Sequence, residues 1–318
     1  MLYRLLKIAA RLALPIFCRK VVINKPEVLH SAGPLLLASN HPNSFLDSVI
    51  LDTLFEKPVW SLARGDAFRK SWHARLLKRL YILPVYRTSE GVENLTENYK
   101  TFEECITLFR QNSIITIFSE GKCINEWHLR PLKKGTARLA IRAWEEGIPL
   151  KVIPVGINYS SFTRFGKNIF LNFGEPITAT DINLAEPEGV RNLAFNAKLE
   201  EQLKQLVYEI PKNATAGQRK ILFIPVPAWK KILLLVPAAI GWLTHLPLYL
   251  PVKSFVWKRT RHNDHYDSIM TGVLLLSYPF YLLLITVLAA GFTGCGWYLL
   301  LPVGIPFTAW AFVKIKKQ

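Results

Sequence analysis

A histidine and an aspartate placed six positions apart are the residues of this chain best suited to chemistry. They lie in Ser39-Asn40-His41-Pro42-Asn43-Ser44-Phe45-Leu46-Asp47. A carboxylate that holds one imidazole nitrogen leaves the other to accept a proton, which is how a general base is oriented. The spacing restricts how the two can meet. At about 100° per residue, positions i and i+6 lie about 120° apart around a helix axis. His41 must therefore stand outside a helix that carries Asp47 and fold back over it. Pro42 steers the residue before it away from the α region, and Asn43 or Ser44 can cap the new helix. On these residues alone two readings stand: a capped helix with an incidental histidine, and a base held by an aspartate.

A second group follows the apolar run 114–118. Ser119-Glu120-Gly121-Lys122 comes first, then Arg130-Pro131-Leu132-Lys133-Lys134-Gly135. Glycine after a strand frees backbone N–H groups for an anion, and lysine and arginine supply charge. The spacing is not that of a P-loop, and taken alone a solvated turn accounts for it. Arg64 and Arg87 each end a strand-like run and singly read as surface charges. Four strand ends that present His41 with Asp47, Arg64, Arg87, and Glu120 with Lys122 would form a concentrated basic rim. The run His262, Asp264, His265 and Asp267 has no sound metal-ligand geometry and is expected to be a solvated loop. No Gly-x-Ser-x-Gly elbow marks a serine nucleophile. The four cysteines are scattered, with neither metal spacing nor a disulfide framework, which suits a reducing cytosolic face.

The elements that must position these residues alternate. Strand-like runs occupy 34–38, 58–62, 82–86, 113–118, 150–155 and 168–173. Between them, Leu95, Tyr99, Phe102, Ile106 and Phe109 form one core stripe at helical spacing. Ala137, Ile141 and Trp144 form another, stopped by Gly147. Phe195 to Ile210 reads as a last helix and 211–218 as a linker. The expectation is an α/β domain over 21–220, with a mixed, largely parallel sheet flanked by helices.

Both flanks of that domain point to a membrane. The chain carries a net charge of +17, is 50% hydrophobic and has 9 Trp; its mean hydropathy is +0.19. A basic, apolar, aromatic-rich chain suits an anionic lipid surface. Nucleic acid, the rival partner for the charge, leaves the apolar C-terminal runs unexplained. Residues 1–20 carry Leu5, Ile8, Leu12 and Ile16 at helical spacing among basic residues, which fits an amphipathic interfacial helix. The run is too short to span a bilayer, and no signal-peptide cleavage site is evident. Residues 221–318 form the membrane region. Residues 268–313 have no charged side chain and predict a transmembrane hairpin, about 270–290 and 293–313. Basic residues at both ends put both ends on the cytoplasmic side. Residues 232–252, broken by Pro237, Pro247 and Pro251, are basic on both flanks. They are expected to dip in and return, or to lie in the interface, with His245 as an interfacial anchor.

In this order, the motifs resemble those of the glycerolipid acyltransferases, over roughly 20–215. The matching blocks are Asn40-His41 to Asp47, the strand that ends in Arg87, Phe118-Ser119-Glu120-Gly121 with Pro131 to Gly135, and Val152-Ile153-Pro154-Val155-Gly156. The family usually has four residues between His and Asp; here there are five. That spacing and the apolar C-terminal hairpin resemble a fungal subgroup with bacterial relatives that acylates glycerol 3-phosphate or dihydroxyacetone phosphate. In the third block Ser119, Lys122 and Cys123 stand where the family has Pro, Thr and Arg. Lys122, Arg130 or Lys133 is left to replace that arginine, and a lysine does so as a point charge rather than a bidentate fork.

The resemblance implies a glycerol-3-phosphate acyltransferase-like fold and a membrane-bound enzyme of phospholipid biosynthesis. It would move an acyl group from acyl-CoA or acyl carrier protein to a hydroxyl of glycerol 3-phosphate or 1-acylglycerol 3-phosphate. His41 would be the base and Asp47 its partner. Arg87, Lys122 and Lys133, with Arg64 and Arg130 on the same rim, would bind phosphate. Glu120 would position an acceptor hydroxyl or the basic side chains, and Gly121 would let backbone N–H groups approach. No metal, cofactor or covalent enzyme intermediate is called for. The partners implied are the bilayer, the anionic acyl donor and the phosphorylated acceptor. The location implied is the cytoplasmic face of a membrane, the inner one in a bacterium. Two alternatives follow from the altered third block: acylation of another lipid acceptor, such as an amino-acid lipid or lysophospholipid, and a non-enzymatic lipid-binding membrane protein.

Overall fold

The computed structural model describes residues 1–86, 95–211, 213–215, 217–292 and 296–316. Arg87 lies outside the described residues, as does Cys295. In chain order the elements are α1 (Leu2–Phe17), β1 (Cys18–Ile23), β2 (Leu35–Ser39), α2 (Phe45–Leu54), β3 (Val59–Arg64), α3 (Ser71–Arg79), β4 (Ile82–Val85), α4 (Leu95–Arg110) and β5 (Ile114–Phe118). Then follow α5 (Lys134–Glu145), β6 (Lys151–Tyr159), β7 (Lys167–Phe173), α6 (Glu188–Leu206), α7 (Ala228–Thr260), α8 (Tyr266–Phe292) and α9 (Leu301–Ile315).

The strands form one sheet in the order β1-β7-β6-β2-β5-β3-β4. β2 runs parallel to β5 and to β6, and β3 parallel to β5 and to β4. The carboxyl ends of these strands therefore share one edge, the usual place for a site in an open α/β sheet. Register brings Ser39 of β2 opposite Phe118 of β5, so the segments after both strands start side by side. Each strand-like run read from the sequence is a strand. β1 is an addition: its Cys-Arg-Lys start follows a helix with no glycine or proline between them.

Two compact units divide the chain. The first comprises 1–7, 23–158 and 170–213. Its core packs Leu36 and Ala38 of β2 and Ile115 and Ile117 of β5 with Ile106 and Phe109 of α4, Ile141 and Trp144 of α5, and Phe195 and Leu199 of α6. The stripe on α4 is core from Phe102 onward, but Tyr99 is exposed. α6 begins at Glu188, earlier than expected, directly after Pro187, which cannot be a helix-interior residue without breaking the ladder.

The second unit comprises 8–22, 159–169 and 214–318. Among the described residues, three stretches in it are long and apolar enough to cross a membrane: Ala228–Thr260, Tyr266–Phe292 and Gly296–Ile315. α7 packs on α9 through Leu234, Ala238 and Ala311. Gly241 permits the close approach, since a Cβ there would collide with the Thr308 carbonyl. His245 accepts or donates a hydrogen bond at 2.9 Å with the Tyr278 hydroxyl of α8. The start of α7 lies by the C-terminal half of α9. Lys230 Nζ is 6.0 Å from the Trp310 ring, and Lys253 lies within electrostatic reach of Lys316. A straight helix would hold Lys230 and Lys253 about 35 Å apart, a distance that a bend in α7 would shorten. Its internal residues Pro237, Pro247 and Pro251 are where a helix yields. Asp267 is not the solvated loop residue expected. It is buried at the start of α8 and ion-paired with buried Lys167, because an unpaired charge there would be costly.

Candidate active site

The site lies in the first unit, where β2 and β5 end. Beyond Ser39 the chain leaves the sheet, and the Asn40 side chain continues the pairing with β6. Its Oδ1 accepts from the Ile157 N–H at 2.8 Å, and its Nδ2 donates to the Ile157 carbonyl at 3.0 Å. His41 follows at the strand end. Ser44, at a φ of +54°, turns the chain into α2. It occupies the capping position, but its own side chain makes no cap bond. Asp47 reaches back instead: one carboxylate oxygen, Oδ2, takes the Asn43 N–H at 2.9 Å and His41 Nδ1 at 2.9 Å. The fold-back required by the six-residue spacing is thus made by the first turn of α2.

The pair is sheltered. Asp47 is fully buried and the His41 side chain is 17% exposed. The Phe118 ring stacks on the imidazole at 4.0 Å and 13°. With Nδ1 engaged, Nε2 is the nitrogen that takes no bond among the described residues, so the arrangement presents a proton acceptor at the edge of the sheet.

The segment after β5 wraps this loop. Glu120, 4% exposed, accepts the His41 N–H on Oε2 at 3.0 Å and the Arg130 N–H on Oε1 at 3.0 Å. Burial raises the Glu120 pKa, against the lowering effect of those two bonds and of the His41 and Arg130 charges. The Ser44 N–H donates to Cys123 Sγ at 2.9 Å, the Ile124 N–H to the His41 carbonyl at 3.3 Å, and Asn125 Nδ2 to the Pro42 carbonyl at 2.7 Å. Gly121 adopts a φ of +67°, and a Cβ there would lie 3.1 Å from Lys133 Cγ. Lys133 therefore crosses directly over the glycine turn.

The basic residues divide. Lys122 and Lys133 are exposed beside Gly121, and Arg130 is half-buried. The Arg130 guanidinium lies 3.5 Å from the Lys122 carbonyl and 3.6 Å from Glu126. Arg64 ends β3 on the same edge, and its guanidinium pairs with Asp66 at 2.6 Å. Arg87 stands outside the described residues. Asn40, Phe118, Cys123 and Asn125 also shape the site and carry no role in the sequence reading. Asn40 sits beside the histidine, which is a usable signal; the other three are recognisable only once β2 and β5 are neighbours.

Part of the chain is similar to known proteins. Residues 20–158 match the Acyltransferase family model. That stretch of the chain is similar to an acyltransferase domain. Three relatives share parts of it. An uncharacterized acyltransferase of Schizosaccharomyces pombe is 24% identical over 152 residues, 47% of this chain and 21% of its own length. Glycerol-3-phosphate O-acyltransferase 1 of Saccharomyces cerevisiae is 29% identical over 94 residues, 29% of this chain and 12% of its own. A probable 1-acyl-sn-glycerol-3-phosphate acyltransferase of Mycoplasma pneumoniae is 24% identical over 187 residues, 54% of this chain and 67% of its own. The chain thus spans a small part of the two yeast relatives and two thirds of the bacterial one.

Proposed function

We propose that the protein is a membrane-bound acyltransferase that moves a fatty acyl group from a thioester, acyl-CoA or acyl carrier protein, to a hydroxyl of glycerol 3-phosphate or 1-acylglycerol 3-phosphate. The bond from Asp47 to His41 Nδ1 carries the reading, because it aims Nε2 outward as a base. His41 Nε2 takes the acceptor hydroxyl proton as the oxygen attacks the thioester carbonyl. Asp47 steadies the imidazolium that forms. As the tetrahedral intermediate collapses, the C–S bond breaks and the imidazolium returns its proton to the departing thiolate. The ester and the free thiol are the products, and the enzyme ends unchanged.

Lys122 and Lys133 receive the acceptor's phosphate, with Arg130 as a further cation on the rim; Arg87, outside the described residues, is assigned to the same phosphate from the sequence resemblance alone. Arg64, on the same edge, is paired with Asp66. The membrane-length helices of the second unit suit an amphipathic product. We place the acyltransferase domain on the cytoplasmic face, in a bacterium that of the inner membrane. A second acceptor class, an amino-acid lipid or a lysophospholipid, is favoured by one observation. Cys123 replaces the family's arginine, and its buried sulfur faces the Ser44 N–H rather than the rim.

One assay panel tests both. Labelled acyl-CoA and acyl carrier protein are offered against glycerol 3-phosphate, dihydroxyacetone phosphate, 1-acylglycerol 3-phosphate, lysophospholipids and amino-acid lipids. Replacing His41→Ala should cut turnover on the productive pair by about 10²–10⁴-fold, the usual worth of a positioned base. The variant should remain folded and bound to membranes. Turnover at the wild-type rate would remove His41 from the mechanism.

A further inference from the structure

The His41 loop does not hold its own shape. Ser44 sits at a positive φ that a non-glycine residue adopts only when its surroundings enforce it. The α2 N-terminus has no side-chain cap from Ser44, and a single oxygen of Asp47 serves both Asn43 and His41. Beside the Glu120 bond to the His41 N–H, further restraints on the loop come from across the sheet edge. Cys123 Sγ takes the Ser44 N–H, the Ile124 N–H meets the His41 carbonyl, and the Asn125 amide meets the Pro42 carbonyl. Three consecutive residues of one segment thereby grip residues 41, 42 and 44 of the other.

We propose that residues 123–125 are a strap that sets the aim of the histidine, with Asn125 and Cys123 as positioning residues for the reaction. The proposal rests on His41 as the base. The Asn125 bond is the shortest of the three, at 2.7 Å, and the only one of them made by a side-chain donor. Pro42 has no N–H of its own, so its carbonyl is the one backbone handle it offers. The sulfur at 123 accepts a hydrogen bond without adding a fixed negative charge beside Asp47. An arginine at that position has no acceptor and could not make this contact. The strap also follows Glu120-Gly121-Lys122 directly, so movement of the anion-binding turn and movement of the base loop are mechanically linked.

The test uses the full chain and two readouts, hydrogen–deuterium exchange of the segment 40–47 and steady-state acyl transfer with palmitoyl-CoA, taking glycerol 3-phosphate or 1-acylglycerol 3-phosphate as acceptor. Asn125→Asp keeps the size of the side chain and deletes the donor; Asn125→Ala deletes both. Each should raise exchange in 40–47 while the strands β6 and β7 stay protected. Each should lower kcat about tenfold to hundredfold with the acceptor KM changed less than about twofold, since a base displaced by about 1 Å costs rate rather than binding. Cys123→Ser, which keeps an acceptor, should stay within about threefold of wild type, whereas Cys123→Ala should resemble the Asn125 variants. Asn24→Asp, which loses a comparable amide bond to the Phe173 carbonyl, should leave 40–47 and kcat unchanged. Wild-type exchange in 40–47 for Asn125→Asp would overturn the strap. So would exchange that rises evenly through the whole sheet, which is loss of fold stability. If His41→Ala keeps its turnover, the base reading fails instead, and the exchange results still say whether the loop is strapped.

Discussion

Both carboxylate oxygens of Glu120 meet backbone N–H groups, His41 on one side and Arg130 on the other. The residue therefore ties the base loop to the basic loop, and those partners have no signature in sequence, since any residue supplies an N–H. Its burial has a measurable consequence. A carboxyl whose pKa is raised in the fold keeps its proton where the unfolded chain has lost it. Its contribution to stability is fully present below the unfolded glutamate value of about 4.3 and is lost as pH rises through the raised folded value. Relative to Glu120→Gln, which does not titrate, the wild type should lose stability as pH climbs through that window and hold a constant difference above it. Denaturant midpoints of the two proteins across the range measure this, and a wild type that gains stability relative to Glu120→Gln as pH rises would contradict it. Activity should move the opposite way. A protonated Glu120 turns one acceptor into a donor facing an N–H, so the wild type should lose turnover on the acid side. Contrast this with the His41–Asp47 pair, which could be read from sequence because it is local. Pro42, the strand before it and the helix after it leave few ways to bring i and i+6 together. Asn125 and Pro42 are far apart in the chain and meet only through β2–β5 pairing.

At the scale of elements, alternation of apolar runs was enough to find β2 to β7, because buried parallel strands are near-continuous hydrophobic stretches. β1 escaped because Arg19 and Lys20 open it. In the structure the Arg19 guanidinium is bonded to the Asn168 side chain at 3.3 Å and to the Ile224 carbonyl. Asp267 escaped for a related reason: a charge beside histidines and an asparagine reads as solvated until its partner is known. That partner, Lys167 on β7, is buried as well, with its ammonium 4.8 Å from the Phe17 ring. Removing one member of a buried pair strands the other, at about 3–5 kcal/mol, whereas removing both together costs far less. Asp267→Ala should lower the stability of the second unit by roughly that amount, and Lys167→Met with Asp267→Leu should recover most of it. Thermal unfolding of the two variants in detergent tests this. A double variant no more stable than the single would mean that the pair supplies more than mutual neutralisation.

At the scale of the whole chain, topology follows from where the basic residues fall on a bent helix. Lys230 and Lys231 lie at the start of α7, and Lys253, Lys258, Arg259 and Arg261 at its end. If α7 crossed a bilayer once, one of those clusters would lie on the far side, against the tendency of lysine and arginine to stay in the cytoplasm. The approach of Lys230 to Trp310 and the electrostatic reach of Lys253 to Lys316 fit a bend that would bring both clusters to the basic end of α9 and relieve that conflict. We therefore assign α7 as a segment that enters the apolar layer and returns, bent at its prolines. We propose that α8 and α9 form a hairpin that crosses twice. Backbone groups freed by the bend need partners in the absence of water, and the Tyr281 hydroxyl donates to the Thr244 carbonyl at the middle of α7. The prediction is that a reporter fused after Gln318 reads cytoplasmic and one inserted at Gly294 reads extracytoplasmic. A cysteine in place of Ala228 and one in place of Arg261 should both be labelled by an impermeant reagent only from the cytoplasmic side. Labelling of those two positions from opposite sides would make α7 a third span and put the C-terminus outside. In that arrangement the basic end of α9 could not remain beside both clusters of α7, so the labelling result decides between a bent and a spanning α7 without reference to activity.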